Sequence, residues 1–175
     1  PDEVATVDST LKNIVGVGLD QLGIMKPALL SNLITLSLYQ QYYPSMSNEI
    51  SLDQHFQEEA LKRMRPVVGL EDTEDQIDIL LNAQSLERQA ELLMCMINNP
   101  HLLKEQMDEL HVAYHSQDTN YLFELSERET PDDPCPSTEE ESNAVNKDRN
   151  EKWLNKLPAI MADKPSFIAV GCLHL

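Results

Sequence analysis

Aromatic residues and long apolar runs are what this chain has least of. Aromatic side chains make up 5% of its 175 residues, whereas 41% of the residues are hydrophobic. A chain of this length can bury one substantial core, which is expected to consist mainly of aliphatic side chains. No stretch reaches the roughly 18 consecutive apolar residues of a membrane-spanning helix, so no span is expected. The run of residues 1–4 is neither basic nor apolar, so no signal peptide is expected within these residues.

Positive charge is also scarce. Lysine and arginine together number 13 against 30 aspartates and glutamates, which gives a formal net charge of −17. Such a chain repels phosphate backbones and anionic lipid headgroups, so nucleic acid is not expected as a partner. The plainer interpretation, that the acidic residues only maintain solubility, stays open. No Gly-rich phosphate loop and no Gly-x-Ser-x-Gly elbow occur, so nothing indicates a nucleotide enzyme.

Only three cysteines occur, Cys95, Cys135 and Cys172, and their spacing matches no metal site. The odd number allows either three thiols or one disulfide with one free thiol. In an oxidising compartment Cys95 and Cys135 are the favoured pair, and Cys172 stays free. The chain itself does not indicate its compartment, so both possibilities stay open.

Most of the chain has the apolar spacing and the capping residues of helices. It contains no internal repeat, and residues 1–175 are interpreted as one helix-rich unit. Residues 127–141 combine acidic side chains with three prolines, which predicts a solvated, flexible loop. The predicted helices cover 11–22, 28–43, 52–64, 102–114 and 120–125, and further helices are predicted after Asp72, around 90–97 and through Trp153. Pro158 is expected to kink or break the last of these helices.

Two short segments interrupt this helical pattern, Val67–Leu70 and Phe167–Cys172. Both are apolar throughout and are separated by helices, which is typical of parallel strands buried on both faces. The predicted fold class is therefore α/β (or α+β), with predominantly helical content and a few short strands covered by helices. Because the carboxyl ends of parallel strands lie at the same edge of a sheet, Glu71 and His174 are expected to converge.

Glu71 and His174 form the sharpest pair of candidate functional residues. Each follows shortly after a glycine, which lets the backbone turn sharply before the side chain. A carboxylate beside an imidazole can bind a divalent metal or act as base and acid on a water molecule. The alternative is structural, with Glu71 capping the following helix and His174 packed at a sheet edge.

Arg149 and Asn150 lie on the last helix before His174. A guanidinium at this position can bind a carboxylate or stabilise a developing oxyanion. A structural salt bridge of Arg149 to one of the many acidic residues is the alternative.

His111 and His115 lie four residues apart on a predicted helix, as metal ligands often do. The zinc-protease motif requires a glutamate directly after the first histidine, and Val112 stands there instead. We therefore favour a surface pair over a metal site.

The order of several short motifs resembles that of the TraB/GumN family, and the resemblance covers almost the whole chain. Its most specific part is the apolar segment that ends in Gly-x-x-His at Gly171–His174. The matching segments are Met25–Ala28, Leu52-Asp53-x-x-Phe56, Val68–Glu71 with Glu74 and Gln76, Arg88–Glu91, Ala113-Tyr114, Arg149-Asn150-x-x-Trp153 and Phe167–Leu175.

The family is similar to Tiki-type membrane proteases and to erythromycin-esterase-like and ChaN-like proteins. The resemblance implies a metal-dependent hydrolase that acts on peptides or proteins, with zinc, manganese or cobalt as the metal and a bacterial, exported parent protein. On the matching positions it implies Glu71 and Arg149 as catalytic residues. It also implies Glu71 and His174 as metal ligands, and Arg149 and Asn150 as substrate-binding residues. A non-catalytic protein that binds a peptide is the alternative.

One family motif is missing from the sequence. The family has a first Gly-x-x-His motif upstream of the matching segments, and this chain does not contain it. The chain is therefore interpreted as the central and late portion of a larger domain, which is expected to be inactive and to bind no metal on its own. Apolar surface left uncovered in such a portion predicts a homo-oligomer.

Overall fold

The chain folds into ten α-helices in the computed structural model, which describes residues 2–46, 50–128, 130 and 132–174. The helices are α1 (Asp2–Ile14), α2 (Leu19–Leu22), α3 (Pro27–Tyr42), α4 (Leu52–Lys62), α5 (Thr73–Ile77), α6 (Leu86–Asn98), α7 (Pro100–His115), α8 (Thr119–Glu127), α9 (Glu139–Val145) and α10 (Lys147–Asp163). A π-helical segment (Asp78–Asn82) follows α5, and two 3-10 turns lie at Pro44–Met46 and Cys172–His174. None of the described helices is both long and apolar enough to cross a membrane.

The main core lies where α1, α3 and α6 pack against one another. Its most buried side chains are Leu11 and Ile34, which are 0% and 2% exposed. The cluster is entirely aliphatic, which confirms what the shortage of aromatic residues predicted. It comprises Val7, Leu11, Leu30, Ile34 and Leu93.

Local capping chemistry fixes several helix starts where the sequence places them. Asp72 accepts a hydrogen bond from the Asp75 N–H at the start of α5. Thr138 and Glu141 form a capping box at the start of α9, in which each side chain accepts from the other residue's backbone N–H. Such caps satisfy N–H groups that have no partner within the helix, so they can be predicted from a few neighbouring residues.

The predicted helix over 11–22 is divided in two. Helix α1 ends at Ile14, and Gly16 has a φ of +90°, a conformation that ends the helix and that glycine adopts without strain. The Asp8 carboxylate accepts a hydrogen bond from the Leu19 N–H at 2.8 Å, which fixes the start of α2. A side chain from the first helix therefore caps the second.

Pro158 does not end the last helix. Helix α10 continues through it to Asp163. Proline lacks an N–H, so the Leu154 carbonyl one turn earlier loses its helical partner. Leu154 is 65% exposed, so it lies on a face where water can replace that hydrogen bond.

The two predicted strands are wrong, and with them the α/β (or α+β) class. Within the described part of the chain no strand occurs. Val67–Leu70 and residues 167–171 lie in connectors, and Cys172 begins the last 3-10 turn. Val68 and Phe167 are 69% and 75% exposed, so the segments are not buried between helices. A strand exists only by pairing with another strand, and these segments have none. The prediction of predominantly helical content is confirmed.

The acidic loop predicted over 127–141 is shorter in the structure, because both ends of this region are helical. Glu127 belongs to α8, and Glu139 to Glu141 form the first turn of α9. Cys135 is joined to Cys95 of α6 by a disulfide with Cα atoms 5.8 Å apart, and Cys172 is free, as expected for an oxidising compartment. Flexibility of the loop stays a prediction. Four residues to which predictions apply lie outside the described residues: Pro1, Glu129, Pro131 and Leu175.

Candidate functional site

Helix α10 is the platform on which the candidate residues meet. Arg149, Asn150 and Trp153 lie within four positions of one another, so they lie within about one turn of the helix. Glu71 comes from the connector before α5, and His174 comes from the last 3-10 turn. Residues 78 and 25 positions away from Arg149 therefore meet at its guanidinium.

Arg149 binds Glu71 through two parallel hydrogen bonds. Arg149 Nε donates to Glu71 Oε1 at 2.8 Å, and Nη2 donates to Oε2 at 2.9 Å. The Glu71 side chain is 5% exposed and that of Arg149 is 17% exposed, so the pair is largely out of water. This bidentate geometry is the strongest and most directional form of an arginine–carboxylate contact.

His174 contacts the same guanidinium and a neighbouring amide. Its Nδ1 lies 2.9 Å from Asn150 Oδ1, and its Nε2 lies 3.2 Å from Arg149 Nη1. Because Asn150 uses its NH₂ group to donate to Asn146 Oδ1, its oxygen faces His174 as an acceptor. We therefore assign the proton to Nδ1, which leaves the Nε2 lone pair directed at Arg149.

Burial and the neighbouring charges fix the protonation of this cluster at neutral pH. The hydrogen bonds from Arg149 lower the pKa of Glu71, against the opposing effect of burial. Burial and the positive charge of Arg149 lower the pKa of His174, while Glu71 partly offsets this. The cluster therefore holds an ionised carboxylate, a guanidinium and a neutral imidazole.

Two hydrogen bonds attach the connectors to α10. Lys156 Nζ donates to the Leu70 carbonyl at 2.9 Å, directly before Glu71. Asn146 Nδ2 donates to the Leu173 carbonyl at 2.8 Å, directly before His174. Sequence reasoning missed both residues, although Asn146 and Asn150 stand one turn apart on a predicted helix and that spacing could have indicated a shared contact.

Trp153 closes one side of the cluster. Its ring centroid lies 4.5 Å from that of His174 and 5.1 Å from the Arg149 Cζ atom. Its indole N–H is buried, and within the described residues it has no hydrogen-bond partner. A buried donor of this kind is suited to an acceptor oxygen of a ligand.

The resemblance implies a divalent metal here, and the arrangement of these residues does not fit one. A metal site of this kind needs at least three protein ligands with free lone pairs. Both Glu71 oxygens and His174 Nε2 face the guanidinium, and no group of three potential ligands lies together in the described part of the chain. A metal could reach these atoms only by displacing Arg149.

His111 and His115 lie elsewhere, at the contact between α3 and α7. The His111 ring stacks on Tyr43 with centroids 4.0 Å apart, and its Nδ1 lies 3.4 Å from the Tyr39 hydroxyl. The His115 ring is exposed, and its centroid lies 4.2 Å from that of the His111 ring. The surface-pair interpretation is right for His115 and wrong for His111, which is half-buried against two tyrosines.

We expect this contact to weaken in acid. Burial and the neighbouring His115 lower the pKa of His111 from its ordinary 6.5, and Asp108 opposes this. A depressed pKa means that the unfolded chain binds the proton more tightly, so the free energy of unfolding falls as the pH drops through and below about 6.5. Replacement of His111 by phenylalanine keeps a stacking ring that cannot titrate, so the loss should be smaller in that variant. Urea unfolding at pH about 7.5 and about 5.5 measures it.

His101, which is exposed on the same helix, provides the control. The His101→Phe variant should lose as much stability between the two pH values as the unmodified chain. Equal losses in the unmodified chain and in His111→Phe would show that His111 does not cause the effect.

The structure thus presents a partly buried carboxylate–guanidinium–imidazole cluster, and the described part of the chain around it is helical with connectors and without strands. A model of the TraB/PrgY/gumN family matches residues 1–175. The match spans the chain, so the chain belongs to the TraB/PrgY/gumN family, and the resemblance of its motifs is confirmed. No curated protein and no solved structure matches it.

Proposed function

We propose that this chain supplies part of the reacting centre of a hydrolase that cleaves peptide bonds. The observation that supports the proposal is the convergence of Glu71 and His174 on Arg149. These residues come from three separate segments, and the contact lies outside the α1–α3–α6 core, so stabilising that core does not account for it. Buried titratable groups brought together in this way are typical of functional sites.

In this proposal His174 is the general base. Its neutral ring keeps a proton on Nδ1 towards Asn150 and offers a lone pair on Nε2. When a substrate binds, a water molecule replaces Arg149 Nη1 as the hydrogen-bond partner of Nε2, while the guanidinium stays bound to Glu71. Nε2 then takes a proton from that water molecule, and the water oxygen attacks the carbonyl carbon of the scissile bond. The proton then passes to the departing amine as the carbon–nitrogen bond breaks. The products are a carboxylic acid and an amine, and at neutral pH the acid gives up its proton to the amine.

Arg149 stabilises the negative charge that forms on the carbonyl oxygen. Four of its five N–H groups have partners among the described residues: Glu71 accepts two, and the Val145 carbonyl and His174 accept one each. The remaining Nη2 hydrogen and the unpartnered Trp153 N–H are donors for a substrate oxygen. Glu71 acts as a positioning residue, because both of its oxygens hold the guanidinium.

The experiment is a comparison of histidine variants in the natural full-length protein. His174→Gln keeps a neutral, hydrogen-bonding side chain but removes the base, so hydrolysis of a peptide library should slow by about 100-fold or more. His101→Gln, on the exposed face of α7, should leave the rate unchanged. A His174→Gln variant as fast as the unmodified protein would exclude this assignment.

Binding of a peptide without cleavage is the second candidate. It is supported by the exposed, apolar connectors, in which Val68 and Phe167 are 69% and 75% exposed. Exposed apolar side chains of this kind are typical of surfaces that bind a protein or peptide. A protein that binds library peptides but releases them intact, with His174→Gln binding them equally well, would favour this candidate over the hydrolase.

A further inference from the structure

The most unusual feature of the cluster is that the Arg149 side chain donates hydrogen bonds to both candidate metal ligands, Glu71 and His174. The Glu71 oxygens accept from Nε and Nη2 of Arg149, and His174 Nε2 accepts from Nη1. The tautomer of His174 is fixed by Asn150, so the ring presents a lone pair and not a proton to the guanidinium. The arrangement resembles a metal site in which a guanidinium stands in the position of the cation.

Arg149 is held in that position by more than its acceptors. Nη1 also donates to the Val145 carbonyl at 3.1 Å, one turn earlier on the same chain segment. The guanidinium carbon lies 5.1 Å from the centre of the Trp153 ring, within the range of a cation–π contact. The guanidinium is therefore preorganised, and moving it out breaks contacts to four partners.

A divalent cation and this guanidinium cannot share the same acceptors. Two positive groups a few ångströms apart in a poorly solvated site repel one another strongly. Glu71 and His174 also supply only two ligands, and no third potential ligand joins them in the described part of the chain. Metal binding therefore requires that Arg149 first leave.

We infer that the Arg149 guanidinium is the resident cation of this cluster and competes with divalent metal ions for Glu71 and His174. Access of a metal is then controlled by the position of one arginine side chain. The inference concerns binding alone. It rests on the proposed function only for its consequence in catalysis, because it implies that hydrolysis by this cluster proceeds with Arg149 in place.

The test is a titration of the full chain with Zn²⁺ alone, followed by calorimetry and by Trp153 fluorescence. The unmodified chain should bind weakly, and Arg149→Met should bind at least about tenfold more tightly, because Glu71 and His174 lose their competitor. The double variant Arg149→Met/His174→Ala should lose that gain, since one ligand is removed. A Zn²⁺ affinity that is equal in the unmodified chain and in Arg149→Met would overturn the inference.

A second variant covers the case in which Arg149→Met does not fold. Lysine keeps the positive charge but cannot donate to three acceptors in the fixed geometry of a guanidinium, so Arg149→Lys should bind Zn²⁺ several-fold more tightly than the unmodified chain. Far-UV circular dichroism shows whether each variant is folded, and no gain in Arg149→Lys would overturn the inference. Failure of the hydrolase proposal appears instead as unchanged hydrolysis in His174→Gln, so the two failures are distinguishable.

Discussion

Replacing Cys95 and Cys135 together with alanine is expected to lower the free energy of unfolding by about 4 kcal/mol. The disulfide closes a loop with a sequence separation of 40 residues, and a cross-link of that span restricts the unfolded chain considerably. The value follows from the loop length and from the entropy of closing such a loop. Urea unfolding of the oxidised protein, compared with the double variant, measures the difference.

The effect should extend to the candidate site. Cys135 lies shortly before α9, whose Glu141 pairs with Arg88 of α6 at 2.9 and 3.0 Å. Arg88 also donates to the Pro136 carbonyl at 2.7 Å, so disulfide and ion pair fasten the same segment to α6. Arg88 lowers the pKa of Glu141 to about 2, so this pair persists in moderate acid. Loss of the disulfide leaves the segment that leads into α10 attached through Arg88 and through Gln84, whose Nε2 donates to Glu141 Oε1 at 2.9 Å.

The control is Cys172→Ala, which removes the free thiol and should change the stability by less than about 1 kcal/mol. Reduction of the unmodified protein with a thiol reagent should reproduce the double variant. If the double variant lost less than about 1 kcal/mol, the Arg88–Glu141 pair would be sufficient to hold the segment, and loop closure would not be the dominant contribution.

Helix positions could be predicted because the signals that set them are local. Asp72 and Thr138 satisfy N–H groups three residues further on, and the chemistry of such a cap is visible in four consecutive letters. The interruption at Gly16 was not predicted, because it also depends on Asp8 reaching Leu19 eleven residues away. A contact between separate turns of the chain leaves no periodic pattern in the sequence.

The two strands were predicted wrongly because a short apolar run has the same composition in a strand and in an exposed connector. Val67–Leu70 becomes a strand only when another strand supplies its hydrogen bonds, and nothing in its own letters states whether that partner exists. The ring of Phe167 instead lies 4.9 Å from that of Phe56 on α4. Tertiary contacts therefore decided the conformation of these segments.

Glu71 and His174 were predicted to lie close together, and they do, but the cause differs from the one that the sequence suggested. The sequence argument placed them at one edge of a parallel sheet, and the sheet does not form in the described chain. Arg149 and Asn150 of α10 bring them together instead, because Arg149 contacts both residues and Asn150 contacts His174 as well. Their roles in catalysis and in metal binding stay predictions.

Replacing Arg149 with methionine is expected to lower the free energy of unfolding by about 2–4 kcal/mol at neutral pH. The variant leaves Glu71, whose side chain is 5% exposed, with a buried charge and without the two hydrogen bonds that Arg149 donates to its oxygens. Glu71→Gln should cost less, because the more exposed guanidinium can still reach water. The double variant Glu71→Gln/Arg149→Met should be more stable than Arg149→Met alone, since the unpaired charge is gone.

The stability difference between the unmodified protein and Arg149→Met is expected to depend on pH, which a simple packing defect would not produce. In the unmodified protein Arg149 lowers the pKa of Glu71, so the stability from this pair is present above the ordinary value of 4.5 and is lost as the pH falls through the lowered value. In Arg149→Met the buried, unpaired carboxyl has a raised pKa, so its penalty is relieved as the pH falls. The difference in unfolding free energy between the two proteins should therefore shrink on acidification. Urea unfolding at pH about 7 and about 4 measures it, and a difference that stays constant would contradict the burial of an unpaired Glu71 charge.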